Sequence, residues 1–131
     1  MLAVDTNVLV RVLVDDPDAP EQCRAARKAV AEAGAVYVPQ VVQIETIWVL
    51  AGAYGLDKAG IVAALSAIAA HPAFRLQEPE IFAAALAGYR SGSADFADLV
   101  ILAESTQAGC ELATFDRKLG KLPGAHPVRP A

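Results

Sequence analysis

Asp5, Glu45, Asp95, Asp98 and Asp116 are the residues of this chain whose type and surroundings could do chemistry. Each stands beside an apolar run. Met1-Leu2-Ala3-Val4 leads into Asp5, Val41/Val42 and Trp48/Val49 flank Glu45 by one helical turn, and Ile101/Leu102 follow Asp98 at the same spacing. Such runs are expected to be buried, where an unpaired carboxylate is costly. No basic residue lies within reach of Glu45 on its own helix, so a lone carboxyl there would tend to stay protonated. A divalent cation neutralises several acids at once. A set of carboxylates without histidine or cysteine suits Mg2+ or Mn2+ better than zinc. Two such ions about 4 Å apart can activate a water and stabilise a leaving oxygen. Asn7 and Thr114 would orient ligands or hold water, or only serve a turn.

Each acid also has a plainer reading. Asp5, Asp95 and Asp116 all precede expected helices, so each could be an N-cap. Asp95 with Asp98 three residues on resembles a capping box with a shorter acid, and for Asp95 the cap is the favoured reading. Thr6 and Asn7 could cap the first helix in place of Asp5. Glu45 would otherwise need a buried arginine, its own or a partner's.

The elements that must position these residues alternate. A strand over residues 1–4 ends at Asp5-Thr6-Asn7, and Val8/Leu9 with Val12/Leu13 repeat at helical spacing up to Asp15-Asp16-Pro17. A second helix runs from Pro20, with Cys23, Ala26, Val30 and Ala33 on one face, to Gly34. Residues 35–38 read as strand, 39–54 as a strongly apolar helix, and a helix from Asp57 carries Ile61, Leu65 and Ile68 on one side. A short strand over 74–76, a helix over 78–89 and the flexible Ser91-Gly92-Ser93 come next. A helix over 95–108, a strand over 111–114, a short helix after Asp116 and an edge strand over 126–129 complete the chain. This alternation predicts an α/β fold with a parallel sheet covered by helices on both faces. Functional crevices in such sheets lie beyond the carboxyl ends of the strands, which is where Asp5 and Asp116 fall. If their strands are neighbours, the two carboxylates face each other.

The chain of 131 residues suits one domain, spanning residues 1–131, with a real core. A hydrophobic fraction of 55% and a mean hydropathy of +0.38 exclude disorder. No apolar stretch reaches the roughly 18–20 residues of a membrane helix, and the start lacks a signal-peptide pattern, so a cytoplasmic protein is expected. Cys23 and Cys110 lie far apart without a nearby histidine, which reads as two buried small hydrophobes. His71 and His126 each precede proline and are expected at the surface. The net charge is −4, and setting aside Asp5, Glu45, Asp98 and Asp116 leaves acids and bases equal at 11 each. That balance excludes the broad basic face of a general nucleic-acid binder; any RNA would be held by a few local contacts.

The segments Ala3-Val4-Asp5-Thr6-Asn7-Val8-Leu9-Val10-Arg11 and Ile44-Glu45-Thr46-Ile47-Trp48-Val49-Leu50 resemble the PIN domain. So do Ala94-Asp95-Phe96-Ala97-Asp98-Leu99-Val100-Ile101 and Leu112-Ala113-Thr114-Phe115-Asp116-Arg117. Their order and spacing fit over nearly the whole chain, and within that family they resemble the VapC-type toxins of toxin–antitoxin pairs. The resemblance implies a sheet of order 3-2-1-4-5, Mg2+- or Mn2+-dependent cleavage of RNA such as tRNA or rRNA, and a homodimer. It implies an acidic site of Asp5, Glu45, Asp98 and Asp116, with Asp95 as an auxiliary ligand or a cap and Thr114 as a polar neighbour of the last acid. It also implies a small VapB-like antitoxin that can place an arginine among the acids. The helix bearing Trp48 is one candidate surface for it, although a core role for Trp48 has at least equal standing. Arg11, Arg90, Arg117 and Lys118 are candidate phosphate contacts, each weighed against a solvated surface charge.

Three other readings compete. Asp5-Thr6-Asn7-Val8 nearly matches the start of haloacid-dehalogenase-like phosphatases, but Asn7 stands where their second aspartate is needed. A non-catalytic RNA-binding or scaffold PIN domain tends to lose acids, which this chain keeps. A phosphoacceptor signalling domain needs paired acids after the first strand and a late lysine before proline, and neither is clear.

Overall fold

A computed structural model describes residues 1–131, and the chain divides into two compact units, Met1–Pro79 and Glu80–Ala131. In the first, β1 (Leu2–Ala3), β2 (Val36–Val38) and β3 (Phe74–Leu76) form a parallel sheet with Leu2 opposite Val36 and Val36 opposite Phe74. Parallel neighbours need long crossovers, and helices supply them. Helices α1 (Thr6–Leu13) and α2 (Pro20–Ala33) link β1 to β2, and α3 (Gln40–Gly52) and α4 (Lys58–Ala70) link β2 to β3. Helix α1 packs on both α2 and α3. Leu9, Val36, Val38, Leu50, Leu65 and Ile68 are among the fully buried side chains of this unit.

Local chemistry explains the helix ends. Asp5 caps α1, its Oδ1 accepting from the Val8 amide at 2.9 Å. Asp57 caps α4 in the same way through the Gly60 amide at 2.9 Å. Pro20 opens α2, and Gly34 ends it at φ 76°, a left-handed conformation that glycine adopts without a side-chain clash.

In the second unit, α5 (Pro79–Ser91), which begins at the boundary, leads to α6 (Phe96–Gln107). Phe96 meets Phe82 edge-on at 5.8 Å and Tyr89 at 6.3 Å, so one aromatic cluster joins the two helices. Helix α6 packs on β4 (Leu112–Thr114), which pairs in parallel with β5 (Ala125–Pro127) across a single 3-10 turn, Leu119–Lys121. Gly124 makes this return possible. It lies at φ 89°, and a Cβ there would come within 2.8 Å of the Thr106 hydroxyl.

The expected single sheet of order 3-2-1-4-5 is instead two sheets, β1-β2-β3 and β4-β5. Its runs 3-2-1 and 4-5 are both formed. Strand β1 spans only Leu2 and Ala3, and β4 only three residues, so each has few ladder groups to offer. The other elements fall within a few residues of their expected places. The helix expected after Asp116 is a 3-10 turn, and the edge strand ends at Pro127. Cys23 is buried as expected; Cys110 is exposed, because it follows the Gly109 turn at φ 78°. His71 is half-buried rather than on the surface, stacked on Phe74 at 4.0 Å. No helix is long and apolar enough to cross a membrane.

Candidate active site

In the first unit two acids meet the opening turn of α1. Asp5 is exposed at the carboxyl end of β1 and performs the cap, so neither Thr6 nor Asn7 replaces it there. The Thr6 hydroxyl instead donates to Oε1 of Glu45 at 3.0 Å. Asn7 is exposed in the same turn.

Glu45 is exposed, which corrects the expectation that it lies in an apolar interior. Helix α3 turns Val42, Gln43, Thr46, Ile47 and Leu50 inward. Val41 (66% exposed) and Trp48 (57% exposed) share the outer face with Glu45, one turn before it and one after. Gln43, a polar residue that sequence reasoning passed over, is 1% exposed and holds the helix in place. Its Nε2 donates to the carbonyls of Val38 at 3.1 Å, the last residue of β2, and Gln77 at 3.0 Å, just beyond β3. Gln77 reciprocates by accepting from the Gln40 amide at 2.8 Å, which satisfies the start of α3.

Arg11, a candidate phosphate contact, is engaged within its own unit. Its guanidinium reaches Asp16 Oδ2 at 3.3 Å, Gln22 Oε1 at 2.9 Å and the Tyr54 hydroxyl. Tyr54 in turn donates to Asp16 at 2.7 Å. That bond, and the Asp18 amide, hold the Asp16 carboxyl below its ordinary range; burial opposes them and the Arg11 charge adds to them. The same bond pushes the Tyr54 hydroxyl up.

In the second unit Asp95, Asp98 and Asp116 line one cleft of about 470 Å³ with Ser93, Arg117 and Lys118. Asp95 occupies the N-cap position of α6, yet its side chain makes no capping bond, contrary to the favoured reading. Asp98, in the first turn of α6, is half-buried. Burial pushes its carboxyl up, and the charges of Asp95 and then Asp116 push it further. Burial and then the charge of Asp95 also raise the Tyr89 hydroxyl. Asp116 accepts from the Leu119 amide at 2.8 Å, and the Thr114 hydroxyl accepts from the Asp116 amide at 3.0 Å, so Thr114 serves the turn that presents this acid.

Nowhere do three or more acidic, histidine or cysteine side chains draw close enough to hold a metal ion. Like charges keep carboxylates apart unless a cation gathers them. The donor set fits a hard divalent cation all the same: the cleft presents carboxylate oxygens, and the Asp98 charge lies where two neighbouring acids disfavour it.

The profile of the PIN domain matches residues 2–125 of the chain. No curated protein and no solved structure matches it.

Proposed function

As the chain belongs to the PIN-domain family, whose fold is that of divalent-metal-dependent nucleases, we propose that it is an endoribonuclease and the toxin of a toxin–antitoxin pair. The observation that carries this reading is the cleft in which Asp95, Asp98 and Asp116 stand beside Arg117 and Lys118. Oxygen donors for a cation adjoin cations for a phosphate. Bound Mg2+ or Mn2+ would supply Lewis acidity, which no side chain of the cleft provides. Asp98 and Asp116 would hold it, with Asp95 as the auxiliary oxygen. Asp5 and Glu45, both beside the first turn of α1, are the first unit's candidate oxygen ligands in this reading.

In hydrolysis the oxygen of water bonds to phosphorus as one ester P–O bond breaks, and the leaving oxygen takes a proton. The acids orient that water. Arg117 and Lys118, exposed at the cleft, would hold the phosphates of an RNA strand such as tRNA or rRNA. Arg11, already bound to Asp16, supports the fold in this reading.

A homodimer acting in the cytoplasm, silenced by a small VapB-like antitoxin, completes the proposal. Its support is the outer face of α3, where Val41 and Trp48 flank the Glu45 charge. A basic side chain framed by apolar neighbours would complement that pattern.

The test is incubation of the purified protein, free of any antitoxin, with total tRNA and ribosomal RNA in Mg2+ or Mn2+. Discrete fragments are expected with the wild type and none with EDTA or with Asp98→Asn. Full activity of Asp98→Asn would refute the reading, and tight RNA binding without metal-dependent turnover would favour a scaffold.

A further inference from the structure

We propose that Thr6 is a positioning residue that sets the orientation of the Glu45 carboxylate for cation binding. The inference rests on the nuclease reading above, in which Glu45 is a ligand.

Glu45 is exposed, so packing does not select its rotamer. The Thr6 hydroxyl is the donor recorded for its carboxylate, reaching Oε1 at 3.0 Å across 39 residues of sequence. Thr6 is suited to the task. It is β-branched and therefore stiff about its first side-chain torsion. As the first residue of α1 it has no preceding helical turn whose carbonyl could claim the hydroxyl. The cap is made by Asp5, which leaves the Thr6 oxygen for other work.

The two acids are thus held alike. Asp5 Oδ1 accepts from the Val8 amide and Glu45 Oε1 accepts from the Thr6 hydroxyl, and both donors belong to the same turn of α1. In each carboxylate the second oxygen takes no part in that bond. Without the hydroxyl, Glu45 would be free to swing along the outer face of α3 between Val41 and Trp48.

The experiment titrates Mn2+ into the full chain and follows free ion by electron paramagnetic resonance. Thr6→Val, which keeps the shape and removes the donor, is expected to weaken Mn2+ binding about tenfold, the lower range for loss of an orienting partner. Thr6→Ser should restore it to within about twofold. Adding Thr6→Val to Glu45→Gln should cost nothing more than Glu45→Gln alone, since both act through one carboxylate. Melting in EDTA separates a merely structural role, because the binding loss should appear without a matching loss of metal-free stability. Wild-type affinity in Thr6→Val, or a full extra loss on top of Glu45→Gln, would overturn this inference and leave the nuclease reading standing. A wild-type protein that binds no Mn2+ would overturn both.

Discussion

Replacing Gln43 tests whether one buried amide sets the start of α3. Its Nε2 donates to two carbonyls, those of Val38 and Gln77. The Val38 oxygen also accepts from the Gln77 amide at 3.0 Å, so it keeps a partner when Gln43 is lost. The Gln77 oxygen has no such second bond. Gln43→Leu therefore strands one part-buried acceptor, at up to about 1–3 kcal/mol, and the apolar burial of leucine offsets part of that. A net loss of about 1–2 kcal/mol is expected. For a chain of 131 residues it corresponds to a fall of roughly 3–10 °C in melting temperature. Gln43→Glu is worse, because an anion would face two carbonyl oxygens in a site that is 1% exposed; about 3 kcal/mol or more is expected. Urea denaturation of the three proteins at neutral pH measures both differences. Equal stability of the two variants, or of both with the wild type to within about 0.5 kcal/mol, would refute the two-carbonyl account.

The raised carboxyl of Asp98 contributes stability below its unfolded value of 3.8 and loses that contribution as pH rises through the folded value, so its charge is a cost at neutral pH without metal. Asp98→Asn should melt no lower than the wild type in EDTA and should not show the rise in melting temperature expected of the wild type in Mg2+; a lower melting temperature in EDTA would contradict this. Asp16 has the opposite sign. Held low chiefly by the Tyr54 hydroxyl, it stabilises above 3.8 and stops doing so as pH falls through its lower folded value. Asp16→Asn should cost stability at neutral pH and flatten the acid limb of a melting curve against pH, whereas an unchanged acid limb would show that this carboxylate is not linked to folding.

Helix α3 shows what the sequence could and could not disclose. Its existence is plain from a run of apolar residues after Pro39. Its orientation is not, because apolar side chains occupy every side and periodicity cannot choose among them. Gln43 and Thr46 are buried while Val41 and Trp48 face out, against a rule that puts apolar residues inside and polar ones outside. The candidate caps carry a similar lesson. Asp5 and Asp95 precede their helices in the same way, yet only Asp5 bonds the first turn. An aspartate before a helix states that a cap is available; whether it is used depends on the charges and packing around it. Five candidate acids could be picked out by residue type and surroundings. The pairing of Thr6 with Glu45 could not, since nothing local marks a bond across 39 residues.

The outer face of α3 ties two properties of this protein to one patch. Val41, Glu45 and Trp48 follow one another at single-turn intervals, so any surface that shields the indole from water also covers the carboxylate. Tryptophan and valine left bare invite self-association as the protein accumulates. A companion that kept the chain in solution by sheltering them would, by the same contact, cover Glu45, the proposed cation ligand. Solubility and inactivity would then come and go together, and freeing the enzyme to act would also free it to aggregate.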